Sequence, residues 1–221
     1  MCRTDQLGFT LWELLMTLLV AGILLGIGVP NVMEFQRNSA MSGVANDFVT
    51  GVLMARSEAV KRQVPVTLCL SDDPTLATPV CSPGPVADST RGFVVWVDEN
   101  GNFNPDGSPD LDDTSDGNAI IDAGEPVLLR TVAPSGTIRT STNCGYIAYR
   151  PNGWARQVGA LCFQPADWHA VLFCDDRGRR VAAGTLSSAR AIRIEVTGRA
   201  TVLQETANVD PAIGLTGATC L

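Results

Sequence analysis

The stretch Gly8-Phe9-Thr10-Leu11-Trp12-Glu13 places one carboxylate at the start of an apolar run that continues to Val29 without another charge. As a helix rising 1.5 Å per residue, the run from Phe9 to Val29 is about 31 Å long, which matches the hydrocarbon core of a bilayer. A charged side chain at the bilayer centre costs at least about 2.5–3.5 kcal/mol. The sequence therefore predicts a transmembrane helix over residues 9–29, in which Glu13 needs a partner or a function.

Two simpler interpretations account for only part of this pattern. A secretory signal peptide has a basic leader and a shorter apolar stretch, whereas here the leader has one arginine, Arg3, offset by Asp5. An ordinary anchor helix explains the length of the run. It does not explain a glutamate beside a Gly-Phe junction.

The order Gly-Phe-Thr-Leu-x-Glu-Leu-Leu resembles the class III signal of type IV pilins and pseudopilins, with Trp12 in place of the usual aliphatic residue. The resemblance implies that residues 1–8 are a leader, which a prepilin peptidase removes by cutting after Gly8. It also implies N-methylation of Phe9 and a role for Glu13 in assembly with other major and minor pilins or pseudopilins. The protein would then sit in the inner membrane as a single-pass subunit, with its C-terminal domain in the periplasm or in an extracellular filament.

The helix is expected to continue beyond the membrane over residues 30–63. Gly22 and Pro30 stand where pilin-like subunits often carry a glycine and a proline, and Pro30 is expected to kink or locally open the helix. Beyond it, apolar residues recur with the spacing of one helical face, which predicts packing against a soluble domain. These residues are Met41, Val44, Ala45, Phe48, Val52, Ala55 and Ala59.

Residues 64–221 are predicted to form an extracytoplasmic β-rich domain. Short β-branched or aromatic runs lie between Gly, Pro and Asp turns, so the fold class is α+β, with the long N-terminal helix packed on an antiparallel sheet. The passage from Ala55-Arg56-Ser57-Glu58-Ala59 to Val64–Cys69 resembles the GspH/FimT branch of the pilin-like superfamily, which implies the same architecture. The predicted strands are Val64–Leu70, Gly92–Val97, Val127–Val132, Tyr146–Arg150, Ala170–Cys174, Ala191–Val196 and Ala200–Gln204.

Six cysteines remain once Cys2 is removed with the leader, and an even number in an exported domain indicates disulfides. Six cysteines allow fifteen connectivities, so the pairing stays open. The pairs that we favour are Cys69–Cys81 across a Pro-rich loop, Cys144–Cys162 and Cys174–Cys220.

An acidic insertion over residues 98–125 carries nine carboxylates and no Lys or Arg. Closely spaced Asp and Asn oxygens are ligands that Ca²⁺ prefers, although the spacing is not that of an EF-hand. A solvated acidic loop is the simpler interpretation, and a structural calcium ion is the alternative; no other cofactor is expected. The candidate ligands are Asp98, Asn100, Asn102, Asn104, Asp106, Asp112, Asp116, Asp122 and Glu125.

Arginines in the C-terminal part suggest DNA as a second candidate partner, because arginine binds phosphate well. Some FimT-like minor pilins bind DNA through a Gly-Arg-x-Arg motif, and the matching turn here, Gly198-Arg199-Ala200-Thr201, lacks the second arginine. The net charge of −7 also disfavours nucleic acid. The candidate DNA contacts are Arg177, Arg179, Arg180 and Arg199.

The sequence contains no nucleophile elbow, phosphate loop or zinc-ligand set, and its only histidine is His169. We therefore expect a non-enzymatic protein, and the resemblance to pilins and pseudopilins implies a minor pilin-like subunit of a type IV pilus or a type II secretion pseudopilus. A FimT-like DNA-binding pilin for DNA uptake is the alternative.

Overall fold

The computed structural model describes residues 9–82, 85–98, 102–103, 109–110, 121–122, 124–134, 136–156, 168–178, 185–216 and 220. The helices are α1 (Leu11–Arg62) and α2 (Thr206–Thr216). The strands are β1 (Val66–Ser71), β2 (Val86–Ser89), β3 (Gly92–Val97), β4 (Asn102–Phe103), β5 (Pro109–Asp110), β6 (Val127–Thr131), β7 (Arg139–Thr142), β8 (Tyr146–Tyr149), β9 (Ala155–Arg156), β10 (Trp168–Cys174), β11 (Leu186–Glu195) and β12 (Ala200–Glu205).

The sequence explains where helix α1 ends. Lys61 and Arg62 occupy its last turn, where their positive charges interact favourably with the backbone carbonyls that have no partner within the helix. The following residue, Gln63, adopts a positive φ of 60°, and Pro65 then favours an extended backbone before it. Helix α1 therefore ends at Arg62, and the predicted segment ended at residue 63.

The strands form two five-stranded antiparallel sheets where the sequence predicted one. The first has the order β6-β3-β1-β8-β9, the second has the order β12-β11-β10-β7-β2, and β4 pairs with β5 separately. Which strand belongs to which sheet is decided by pairings between residues distant in sequence. Examples are Leu68 with Val95 in the first sheet and Val171 with Ile192 in the second. The predicted α+β class, with a long helix on antiparallel sheets, is confirmed.

Contacts divide the chain into two units, Met1–Ala40 and Met41–Leu221. In the second unit, one face of α1 and the inner faces of both sheets form one core. Phe48 links the three layers, because its ring lies edge-on to Phe93 of the first sheet at 5.2 Å and to Phe173 of the second at 5.7 Å. The predicted helix stripe is buried except for Val44, which is partly exposed, and Gly51 joins it.

Both sheets also bury their outer faces. In the second sheet, Val171 points to the main core while Leu172 belongs to a separate cluster beneath α2, as the alternation of side chains along a strand requires. Helix α2 was not predicted. Its Val209 and Ala212 are fully buried, but Pro211 interrupts the helical pattern of the sequence.

Candidate functional site

Glu13 lies in the first turn of α1, directly behind a helix cap. Thr10 precedes the first helical residue, and its Oγ1 accepts a hydrogen bond of 3.2 Å from the backbone N–H of Glu13. This is the Thr-x-x-Glu order of a capping box. The positive end of the helix dipole also favours a carboxylate at this position. The local structure therefore lowers the free-energy cost of placing the Glu13 carboxylate in an apolar environment. Among the described residues, it does not give this carboxylate a cationic partner.

The apolar side chains of α1 that lie in the unit Met1–Ala40 are exposed within that unit. Phe9 is 83% exposed and Trp12 is 68% exposed, and α1 is long and apolar enough to cross a membrane. Because apolar side chains of this number are not left in water, the segment needs a bilayer or other apolar helices around it. Gly8, the expected cleavage position, lies outside the described residues.

Helix α1 is continuous through Gly22 and Pro30, so the helix does not end at either residue, and the kink expected at Pro30 stays a prediction. Proline removes one amide donor from the helix. The Asn31 side chain adds a hydrogen bond of 3.1 Å to the carbonyl of Ile27 in the same turn.

Arg56 ties the end of α1 to the domain, whereas a charged residue off the buried stripe of a helix is ordinarily a solvated surface charge. Its Nε donates a hydrogen bond of 2.9 Å to the carbonyl of Gly153, in the turn between β8 and β9. Glu58 does fit the solvated interpretation, since it pairs at the surface with Lys61 and Arg62. Spacing alone could not separate the two cases, because the partner of Arg56 is 97 residues away.

Two of the three favoured cysteine pairs are bonded in the structure. Disulfides join Cys69 to Cys81 and Cys174 to Cys220. Cys144 is also disulfide-bonded, whereas Cys162, its favoured partner, lies outside the described residues. The Cys174–Cys220 disulfide fixes the chain beyond α2 to the C-terminal end of β10.

The calcium candidates fall mostly outside the part of the chain whose side chains are described, namely Asn100, Asn102, Asn104, Asp106, Asp112 and Asp116. Of the other three, Asp98 is fully buried and accepts a hydrogen bond of 2.8 Å from Thr67 Oγ1. Glu125 accepts a hydrogen bond of 2.9 Å from the backbone N–H of Asp122. Among the described residues, these three carboxylates do not gather into one group of ligand atoms.

The candidate DNA contacts are not brought together where they are described. Arg177 lies beyond the end of β10 and Arg199 lies beyond the opposite end of the paired strand β11, which separates them by about 20 Å of strand. The Arg177 guanidinium binds the Asp175 carboxylate at 2.7 Å, and its side chain is only 9% exposed. Arg179 and Arg180 lie outside the described residues.

His169 is fully buried and cannot reach a substrate. Its Nε2 lies 2.7 Å from Thr142 Oγ1, whose hydroxyl donates to the carbonyl of Cys144. Burial lowers the pKa of His169 to about 3, opposed only in part by a hydrogen bond to the backbone of Cys144. The imidazole is therefore a neutral part of the core under physiological conditions.

Comparison with protein-family models identifies one match. The model described as type II transport protein GspH matches residues 44–198, which is 155 of the 221 residues. The matched range begins on the buried half of α1 and ends at the turn after β11. It leaves out the apolar half of α1 and the whole of α2.

Two crystal forms of the type IV minor pilin FimU from Pseudomonas aeruginosa are similar in structure. The P21 form has 14% sequence identity and a TM-score of 0.44, covering 78% of this chain and 98% of FimU. The P65 form has 14% identity and a TM-score of 0.41, covering 73% of this chain and 91% of FimU. No curated protein matches the sequence.

Proposed function

Since this chain belongs to the GspH family of type II transport proteins, we propose that it is a minor pilin-like subunit built into, or priming, a type IV pilus or a type II secretion pseudopilus. The observation that carries the proposal is the position of Glu13. A capped glutamate in the first turn of an exposed apolar helix, joined to a GspH-type domain, suits a subunit that is stored in a membrane and assembled by its helix.

The proposed sequence of events begins in the inner membrane, which the helix spans once with its domain outside the cytoplasm. A prepilin peptidase cuts after Gly8, and Phe9 becomes the methylated N-terminal residue. The Phe9 amine of one subunit then pairs with a Glu13 carboxylate during assembly with other pilins or pseudopilins. Because a buried charge without its partner is costly, a misplaced subunit is penalised.

The domain takes no catalytic part in this proposal. It supplies an outward-facing surface held by disulfides, while α1 supplies the bundling surface. The DNA-binding alternative is not advanced, because the Arg177 side chain is occupied by Asp175 and Arg199 lies at the other end of the strands.

A clean gene deletion, scored for surface pili and for secreted enzymes in the same cultures, tests the proposal. Loss of pili with normal secretion assigns the subunit to a type IV pilus, and loss of secretion with normal pili assigns it to a type II pseudopilus. Complementation with the wild-type gene is the control. If both processes remain normal, the proposed function is wrong or the subunit is redundant, and deletion of the remaining pilin-like genes in the same background separates these outcomes.

We further propose that a structural calcium ion neutralises the acidic insertion over residues 98–125. The nine carboxylates without a cation in this segment support the idea. Millimolar calcium is expected to raise the melting temperature of the domain in the full chain, and magnesium serves as the control. An unchanged melting temperature would contradict the calcium proposal.

A further inference from the structure

Three segments meet at one end of the second unit, around the carbonyl of Gly153. The end of α1 reaches it through Arg56, whose Nε is 2.9 Å from that oxygen. The turn between β11 and β12 also lies against it, since a Cβ atom on Gly198 would come within 2.5 Å of the same oxygen. Val60, which is also on α1, packs against the turn of Gly153, because its Cγ2 lies 3.1 Å from the position of a Cβ atom on Gly153.

The β8–β9 turn and the β11–β12 turn are both tight glycine turns. Gly153 has a φ of 78° and Gly198 has a φ of 80°, so each turn uses a backbone conformation that favours glycine. Each is closed by a backbone hydrogen bond of 2.8 Å, from Gly153 to Arg150 and from Gly198 to Glu195. A surface built on these turns loses little conformational freedom when a partner binds.

The segments that meet here carry an exposed tryptophan and three exposed cations. Trp154 follows Gly153 and is 51% exposed, and Val60 is 44% exposed. Arg150 and Arg199, one from each turn, are exposed, as is Lys61 at the end of α1. We call these five residues, Val60, Lys61, Arg150, Trp154 and Arg199, the Trp154 surface.

The charge of the Trp154 surface is opposite to that of the whole chain. The chain carries a net charge of −7, yet the five residues of this surface include three cations. Two carboxylates lie beside it: Glu58 is bound to Lys61 and Arg62, and Glu195 lies 3.4 Å from Arg193. In the part of the chain that the structure describes, neither Arg150 nor Arg199 has an ion-pair partner. Two arginines therefore remain available for an anionic partner beside an exposed tryptophan.

We propose that the Trp154 surface docks an acidic surface patch of a neighbouring protein subunit. This inference rests on the proposed function, because a filament subunit has protein neighbours. Tryptophan and arginine are the side chains most enriched among residues that dominate binding energy at protein interfaces. Negative charge on the partner would speed its association with this surface and would disfavour binding to the acidic surfaces of the chain.

A protein patch fits this surface better than duplex DNA does. DNA binding that relies on the phosphate backbone commonly uses about six to ten phosphate contacts, more than three cations around one tryptophan supply. A duplex would also extend past the small basic area over a chain whose overall charge repels it. An acidic protein patch can instead match the area that these five side chains cover.

The test uses the full chain in detergent micelles and a fluorescent peptide of alternating glutamate and alanine as the acidic probe. Wild-type protein is expected to bind this peptide more tightly than the matched glutamine–alanine peptide. The double substitution Arg150→Glu/Arg199→Glu should weaken binding at least about tenfold, and Trp154→Ala several-fold. The control Arg37→Glu/Arg139→Glu makes the same change in net charge at exposed arginines elsewhere and should change affinity less than about twofold.

Several results would overturn this inference. These are equal binding of the two peptides, equal loss in the control variant, or tighter binding of duplex DNA or of vesicles containing anionic lipid at the same concentration of negative charge. In each case the Trp154 surface would not be a site for acidic protein. Peptide binding is measured on the unassembled subunit, so it is independent of whether deletion of the gene affects pili or secretion. A failed proposed function and a failed docking surface are therefore distinguishable.

Discussion

The two halves of α1 have the same secondary structure and opposite surroundings. Up to Ala40 nearly every side chain is exposed within its own unit, including Phe35 at 72%. From Met41 onward one face is buried, and Phe48 is 1% exposed between two strand aromatics. The comparison shows that helix formation alone does not reveal what a helix is for. The first half exposes apolar side chains, which suits a membrane or a bundle of other helices, and the second half packs on its own domain.

The largest loss of stability should come from substituting the buried aromatic residue Phe48, and the exposed Phe35 on the other half of α1 provides the comparison. Phe48→Ala removes a ring that joins α1 to both sheets, and its cost to the free energy of unfolding should be about 3–5 kcal/mol. Phe35→Ala is the matched control, because it makes the same change on the exposed half of the same helix. It should cost less than about 0.5 kcal/mol. Urea unfolding of the full chain in detergent, followed by tryptophan fluorescence, measures both. Equal effects would mean that the two halves do not differ as described.

The disulfides should affect only the domain half, and to different extents. Cys174 and Cys220 are 46 residues apart, whereas Cys69 and Cys81 are 12 apart. Chain entropy then predicts a loss of about 4 kcal/mol for Cys174→Ala/Cys220→Ala and about 3 kcal/mol for Cys69→Ala/Cys81→Ala. Denaturant unfolding under oxidising conditions measures both losses. The reverse order would show that α2 is held by packing rather than by its covalent link.

Acid should weaken the domain through His169. Because burial lowers its pKa to about 3 in the folded chain, the unfolded chain binds a proton below about pH 6.5 that the folded chain does not. Stability therefore falls as the pH drops from about 6.5 towards 3, by about 1.4 kcal/mol per unit, or about 2 kcal/mol at pH 5. Unfolding free energies measured between pH 7 and pH 5 should show this slope, and His169→Gln should reduce it. An unchanged slope in the variant would assign the acid sensitivity to other groups.

The smallest expected effect concerns the turn that meets the end of α1. Gly198→Ala forces an alanine into a φ of 80° and places its Cβ atom 2.5 Å from the Gly153 carbonyl. Gly136→Ala is the control, because Gly136 has a similar φ of 82° but nothing within 4 Å of its Cβ position. Gly198→Ala should therefore cost roughly 1 kcal/mol more than Gly136→Ala. Thermal unfolding of the two variants side by side decides this, and equal costs would show that the two turns are not in tight contact.

Sequence periodicity predicted the parts of the fold that depend on neighbouring residues. The end of α1, its buried stripe and strands such as Gly92–Val97 follow from local patterns. Strands β2 and β7 were missed, because Val86–Ser89 is short and half polar and Arg139–Thr142 is entirely polar. They become strands because β7 pairs with β10 on one side and with β2 on the other, which is information that no local window contains.

Long-range contacts explain the remaining differences. The division into two sheets depends on which strands pair across the chain, and the role of Arg56 depends on Gly153, which is distant in sequence. Helix α2 carried a usable signal, because Val209, Ala212 and Thr216 have helical spacing and are buried. Pro211 obscured it, since proline in a helix interior is normally unfavourable. The special position of Glu13, in contrast, could be inferred from the sequence alone, because a lone carboxylate in an apolar run is conspicuous without any structure.

The most direct test of the account asks whether Glu13 serves assembly rather than membrane insertion. Glu13→Ala and the control Glu34→Ala, which removes an exposed glutamate from the same helix, would each replace the wild-type gene. The amount of subunit in the membrane fraction and in sheared surface filaments, or in cross-linked pseudopili, would then be measured. The account predicts normal membrane levels for both variants, loss from the filament for Glu13→Ala and normal incorporation for Glu34→Ala. Wild-type incorporation of Glu13→Ala would contradict it.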